Sequence, residues 1–292
     1  GGGGLLGLEK YIEKIRFIVK SYSKKTFIWG AGSNWPRLNP PLELPLLENC
    51  LFAGIRDFPL SATYDQYPKQ TIRGSRYLPC ASSLDLYFLL YWKKQILGRK
   101  KETSHKSDKP RLKVLFSSND AGKQAQFFYS SFMKEVEKVL SDNFDCKFST
   151  IGNSNMSMSA CLSAIQSADL IFTRSYHYAY WSLLLGKPVI AIPTTSKFNS
   201  FPLPYNRYLL FSSCSEVLKF ISPANISTIK KFIFKPPSSC NIHYYLQSLL
   251  LNLSAARKMY CQIGDLQSYK KFSSKYYDLL KILPNKVFSD IG

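Results

Sequence analysis

The segment Thr173-Arg174-Ser175-Tyr176-His177 brings a guanidinium, a hydroxyl and an imidazole together on a short stretch of chain. It follows an apolar run from Asp169 to Thr173 and precedes helical spacing from Tyr178 to Leu185. A strand that ends there and a helix that opens there leave unpaired backbone N–H groups at the helix start. Such a start attracts anions. A phosphate or carboxylate held there would meet those N–H groups, Arg174, Ser175 and His177. An imidazole can also hand over a proton near neutral pH. A His at such a turn can equally cap or pack, but the neighbouring Arg and Ser favour chemistry.

Other residues could bind the same kind of ligand. Phe27-Ile28-Trp29 runs into Gly30-Ala31-Gly32-Ser33-Asn34, a strand ending in a glycine turn. Glycines let the backbone approach a ligand closely, and successive N–H groups can cradle an anion; a plain tight turn accounts for the pattern equally well. The third glycine of a dinucleotide fingerprint is missing, which argues against a nicotinamide site. Arg56-Asp57 follows a second strand, Cys50 to Ile55, either as an intrachain ion pair or as an acceptor-positioning pair. Lys187, in Gly186-Lys187-Pro188, reads as a solvated turn. Lys197 follows the strand Val189 to Ile192, so it falls on the ligand side as a second cation.

The elements that must position these groups are legible in outline. Leu8 to Lys20 has helical spacing, Tyr77 to Leu84 reads as a third strand ending near Asp85, and Leu86 to Leu97 as a helix. Lys93 to Lys113 holds nine Lys/Arg against Glu102 and Asp108. Its polar middle, Gly98 to Pro110, reads as an exposed linker, dividing the chain into domains 1–110 and 111–292. The second half then alternates strand and helix: Leu112 to Ser117, Lys123 to Leu140, Cys146 to Ile151, Met156 to Ser167, Asp169 to Thr173, Tyr178 to Leu185, Val189 to Ile192. That order predicts a parallel sheet with helices on both faces. Pro-rich segments follow, and Asn241 to Leu283 is mostly helical. The expected fold is α/β, with two Rossmann-like lobes facing each other and C-terminal helices. Ligands of such sheets sit at the carboxyl ends of the strands.

Bulk composition narrows the partners. The chain has 292 residues, 45% hydrophobic and 20% charged, which is globular composition. Lys+Arg 39 against Asp+Glu 19 gives a net charge of +20. Such a field attracts nucleic acid, anionic lipid head groups or small phosphorylated substrates. A nucleic-acid-binding role is disfavoured, because the basic residues do not interleave with aromatics in a recognisable module. Seven Cys without a C-x-x-C pair argue against a zinc ribbon. They predict reduced, mostly buried thiols and a cytoplasmic setting. No signal-peptide pattern is read, and no apolar run approaches the ~20 residues of a membrane span. The N-x-S triplets at Asn155, Asn225 and Asn252 read as chance.

Thr173-Arg174-Ser175-Tyr176-His177, followed by Gly186-Lys187-Pro188-Val189, resembles the T-x-S-[FY]-H-G run and downstream G-K-P strand of the polysaccharide pyruvyl transferase family. Gly30-Ala31-Gly32 is similar to that family's opening glycine loop, Arg56-Asp57 and Ser61 to its R-D-x-x-S segment, and Asp85 to its Asp-Pro. Tyr178 stands where the family has Gly, Leu86 where it has Pro, and Ser61 lies one position further from Asp57. The resemblance implies two lobes similar to GT-B glycosyltransferases. It implies transfer of a pyruvyl group from phosphoenolpyruvate, as co-substrate, to a sugar of a glycan or lipid-linked oligosaccharide in polysaccharide biosynthesis, giving a ketal. His177 would then be the general acid. Arg174, catalytic with it, and Lys197 would hold the donor and stabilise phosphate departure, Ser175 would bind substrate, and Gly30, Gly32, Ser33, Asn34, Arg56, Asp57 and Asp85 would line the substrate site. No cofactor or metal is expected. The basic linker and the aromatics fit a peripheral position on an anionic membrane at its inner, cytoplasmic face. The alternative is a GT-B glycosyltransferase using a nucleotide sugar in surface polysaccharide synthesis. Acceptor identity, reacting hydroxyls and oligomeric state are not encoded in these motifs.

Overall fold

Between residues 111 and 210 the apolar residues come in short runs rather than strict alternation. That is the pattern of parallel strands covered by helices on both faces. The computed structural model describes residues 9–22, 26–31, 50–55, 75–97, 109–118, 123–152, 156–193, 198, 201, 207–235 and 239–281. These fall into two compact units. One combines Gly1–Leu86, Thr195–Leu203 and Leu246–Ile282, and the other Tyr87–Thr194, Pro204–Tyr245 and Leu283–Gly292. The expected break at 110/111 is therefore not where the compact units divide, and the C-terminal helices pack with the N-terminal strands.

The first unit contains helix α1 (Glu9–Tyr22) and strands β1 (Phe27–Ala31), β2 (Phe52–Ile55) and β3 (Ser75–Tyr77), all parallel in the order β1-β2-β3. The third strand stops at Tyr77, and Ala81–Leu84 is a 3₁₀ turn rather than strand. The Ser83 N–H donates to the Cys80 carbonyl at 3.2 Å and the Asp85 N–H to the Ser82 carbonyl at 3.1 Å, so these groups close a turn instead of joining a ladder. Ser82 Oγ donates to Cys80 Sγ at 3.3 Å and Ser83 Oγ to the Ser248 carbonyl at 3.4 Å. Phe27 stacks on Phe52 at 4.7 Å, and Phe52, Leu78 and Ala255 form the small core.

The second unit begins with α2 (Leu86–Leu97), whose first residue is the last of the preceding segment. Then come β4 (Arg111–Ser118), α3 (Lys123–Ser141), β5 (Asp145–Gly152), α4 (Met158–Ser167), β6 (Leu170–Thr173), α5 (Tyr176–Leu184) and β7 (Val189–Ala191). The alternation read from the sequence is thus present with small shifts at the ends. The stretch read as a Pro-rich connection holds three further elements, β8 (Tyr208–Leu210), α6 (Cys214–Phe220) and α7 (Ile226–Phe234). Helices α8 (Ser239–Gln262) and α9 (Leu266–Leu280) complete the described chain.

The five parallel strands run in the order β5-β4-β6-β7-β8. This is a doubly wound order that reverses between β4 and β6. Side chains alternate across it. Leu112, Val114, Phe116, Leu170, Phe172, Ile190 and Ile192 join one core with Phe132, Val136 and Leu140 of α3, Val217 of α6 and Ile229 of α7. Phe116 stacks on Phe172 at 5.2 Å, and Phe132 meets Phe172 edge-on at 6.1 Å. Removing such a ring costs about 3–5 kcal/mol. Helices α4 and α5 pack on the other face.

Candidate active site

The reversal point of a doubly wound sheet leaves a crevice at the strands' carboxyl ends, because the flanking crossovers go to opposite faces. Here that point lies between Ser117 on β4 and Thr173 on β6, which pair in register. Their hydroxyls hydrogen-bond to each other, and both residues are buried. Thr173 Oγ1 also accepts from the Ser175 N–H at 2.9 Å, and the Arg174 N–H donates to the Ser117 carbonyl at 3.4 Å. The turn is therefore tied to both strands before α5 begins.

Ser175 is the residue preceding α5 and is 2% exposed. Its side chain makes no capping bond to the helix. His177 lies in the first turn of α5, half-buried. Its ring meets Tyr176 edge-on at 5.4 Å and Trp181 at 5.5 Å. Trp181 sits one turn further on, on the same helix face. Tyr178, where the resembled motif has glycine, is 1% exposed. Its hydroxyl donates to Cys161 Sγ at 3.1 Å and to the Gly152 carbonyl at 3.4 Å. This side chain locks the start of α5 onto α4 and the end of β5.

Arg174 has a different environment from His177. It continues the parity of Leu170 and Phe172, whose side chains face α3 and α6. Accordingly its charge acts on the buried thiol of Cys214, which begins α6. Burial pushes that thiol up, Arg174 pulls it back, and Glu135 of α3 pushes it up again. The Arg174 Nε is shielded from solvent. The charge of Arg174 reaches the Cys214 thiol, and the His177 ring contacts Tyr176 and Trp181.

Lys187, expected to be a solvated turn, is half-buried and donates from Nζ to the Ala168 carbonyl at 2.8 Å. Burial lowers its pKa to about 8, against a weaker upward pull from Asp169. It precedes β7, at the end of the sheet opposite His177.

In the first unit, Gly30 adopts φ +56°, and a Cβ there would stand 3.2 Å from the Pro79 carbonyl oxygen. A glycine is required for both reasons. The loop after β3 is held by Asn252 of α8, which is 0% exposed. Its Nδ2 donates to Ser83 Oγ and to the Ser248 carbonyl, each at 3.0 Å, while its Oδ1 accepts from Trp29 Nε1 at 2.6 Å. Asp85 ends the 3₁₀ turn, exposed, with its N–H donating to the Ser82 carbonyl at 3.1 Å. The Tyr276 hydroxyl donates to the Leu84 carbonyl at 2.6 Å, pinning the same loop from α9. Gly32, Ser33, Asn34, Arg56, Asp57, Ser61 and Lys197 lie outside the described residues. Asn252, one of the three N-x-S triplets, is a buried structural hub and cannot accept a glycan.

No disulfide involves the following six thiols: Cys161 and Cys214 are buried, Cys50, Cys80 and Cys146 half-buried and Cys261 exposed, so they are less uniformly buried than expected. Among the described residues no group of His, Cys, Asp and Glu could hold a metal ion. No described helix is long and apolar enough to cross a membrane.

Sequence reasoning passed over Ser117, named Thr173 only as the first residue of its motif, and read Asn252 only as a chance N-x-S triplet. For Ser117 and Thr173 a signal existed, namely polar residues ending otherwise apolar strands.

The comparisons with known proteins bear on this geometry. A solved structure, the glycotransferase of kitacinnamycin, is similar at 13% identity and a TM-score of 0.31 over 63% of this chain and 48% of that one. The likeness therefore spans about half the length of that protein. No curated protein matches the chain. The family model described as polysaccharide pyruvyl transferase matches residues 1–196. That span includes the Gly30-Ala31-Gly32 run, the β4–β6 reversal point and His177. The chain belongs to the polysaccharide pyruvyl transferase family.

Proposed function

We propose that the protein transfers a pyruvyl group from phosphoenolpyruvate to two hydroxyls of one sugar, on a glycan or lipid-linked oligosaccharide, releasing inorganic phosphate. The observation that carries the proposal is the half-buried imidazole of His177 in the first turn of α5, at the reversal point of the sheet, within the family-matched span.

The donor's phosphate and carboxylate need N–H groups and positive charge. The α5 N-terminus and Arg174 supply these at the end of β6, and Lys197 adds a second cation. His177 delivers its proton to the methylene carbon of the enol. The neighbouring carbon becomes electrophilic and one sugar hydroxyl adds to it, losing its proton. The C–O bond to phosphate then breaks, and a second hydroxyl closes the ketal as its proton departs. One hydroxyl proton restores the imidazolium, and the other leaves with phosphate. Trp181 and Tyr176 hold the ring in one orientation. Gly30, Gly32, Ser33, Asn34, Arg56, Asp57 and Asp85 are assigned to substrate binding, with Asp85 on the loop that Asn252 and Tyr276 fix.

The test is incubation with phosphoenolpyruvate and a panel of glycosides. Phosphate release with the matching ketal mass shift on the sugar supports the reading. Turnover with nucleotide sugars and none with phosphoenolpyruvate overturns it.

A further inference from the structure

Helices α8 and α9 form an antiparallel pair joined at Ile263-Gly264-Asp265, with Tyr260 of α8 against Tyr269 and Phe272 of α9. The turn presents apolar side chains to water: Ile263 is 64% exposed and Leu266 46%. Gly264 has φ +76° and nothing within 4 Å of a Cβ placed on it, so the tip is uncluttered.

Cations outnumber carboxylates along this pair: Arg257, Lys258, Lys270, Lys271 and Lys275 are set against Asp265 and Asp278, with Lys258 over the Phe52 ring and Lys275 over Phe272 and Tyr276. Both carboxylates are engaged nearby, Asp265 by the Ser268 N–H at 3.0 Å and Asp278 by Lys281 Nζ at 3.3 Å. A groove of about 430 Å³ runs beside the turn, lined by Arg257, Lys270, Ser273, Ser274 and Tyr277 among others. Ser273 and Ser274 donate to the Lys270 and Lys271 carbonyls and the Tyr277 hydroxyl bonds that of Tyr269, so the two cations are the groups suited to a phosphate diester.

The levels of these groups along the helices also match. At 1.5 Å per residue, Arg257 lies about 9 Å back from Ile263, and Lys270 about 6 Å back from Leu266. Apolar faces at a bilayer interface are buried about 5–10 Å into the headgroup/acyl boundary. With the tip at that depth, both cations stand at the level of the phosphates.

We propose that the α8–α9 turn docks on an anionic phospholipid bilayer. Ile263 and Leu266 enter the acyl boundary, and Arg257 and Lys270 bind headgroup phosphates across the groove. Helix α1 also exposes apolar groups, with Phe17 at 69% and Tyr22 at 60%, and serves as the internal control.

The full chain is sedimented with vesicles of zwitterionic lipid, with and without one-fifth anionic phospholipid, at physiological salt. No donor or sugar is present, so the result is independent of the transfer reaction. The expected result is binding to the anionic vesicles that falls roughly tenfold in Ile263→Ser/Leu266→Ser. A comparable fall is expected in Arg257→Gln/Lys270→Gln, and none in Phe17→Ser/Tyr22→Ser. The proposal is overturned by wild-type protein that stays in solution, by turn variants that bind like wild type, or by binding that depends on α1 instead. Ile263→Trp gives a second readout: its emission shifts to the blue and is quenched by brominated lipid if the tip enters the bilayer, and an unshifted spectrum overturns the proposal.

Discussion

The carboxyl ends of the two parallel sheets are held in place by different means. At the larger sheet, the groups that meet come from strands paired in register, Ser117 with Thr173, and from the residues that follow directly. At the smaller sheet, the loop after β3 is held by Asn252, 173 residues from Pro79 and 169 from Ser83 along the chain. One edge is specified locally and by sheet register, the other by a distant helix. The first kind of site can be damaged chemically without loosening its frame, whereas the second loosens as soon as its anchor is cut.

His177→Ala provides the largest contrast. Turnover, read as phosphate release, falls about 10²–10⁴-fold, the usual contribution of a general acid. The melting temperature stays within a few degrees, because the half-buried ring leaves the strand–helix turn intact. Wild-type turnover in this variant removes the acid assignment.

Asn252→Ala should reverse the pattern. It leaves the Trp29 N–H without its partner, while the Ser83 hydroxyl keeps the Ser248 carbonyl. An orphaned buried group costs about 1–3 kcal/mol, so urea unfolding should show a loss of that size. An unfolding free energy close to wild type would show that the network carries no net stability.

Gly30→Ala is smaller. A Cβ in the left-handed region costs about 1–2 kcal/mol, and the Pro79 carbonyl oxygen at 3.2 Å adds crowding. A transition within experimental error of wild type would mean that β1 and the loop after β3 separate easily.

Lys187 provides the gentlest test, in the other unit. Its folded pKa, about 8, lies below its ordinary 10.5 because burial disfavours the charge. Between these two values the unfolded chain binds the extra proton, so this group makes stability rise with pH from about 8 to 10.5. Lys187→Met should flatten that rise in urea titrations run across the window. Identical slopes in the two proteins would show that the ammonium is not desolvated.

The same contrast explains what could be read in advance. The alternation from Leu112 to Ile192 was legible because buried parallel strands and amphipathic helices leave different periods. The segment 173–177 was legible because its chemistry is contiguous. The direction of Arg174 was not, because the period of a strand has to be carried one residue past the strand's end. Asn252 carried no signal, since nothing near it in the chain reports its partners. The helix α6 was missed although Ser213 and Glu216 form a capping pattern, in which Ser213 Oγ accepts from the Glu216 N–H at 3.3 Å. Pro202, Pro204 and Pro223 flank it, and prolines signal a connection rather than a helix.

The anchoring of the β3 loop by Asn252 also has a temporal consequence during synthesis. Every strand of the five-stranded sheet has left the ribosome by Leu210, whereas the smaller sheet must wait for α8 and α9 to emerge. Its N-terminal strands, made first, are among the last to be secured. Nascent chains halted just before Asn252 should therefore yield to protease within the first hundred residues while the later sheet resists.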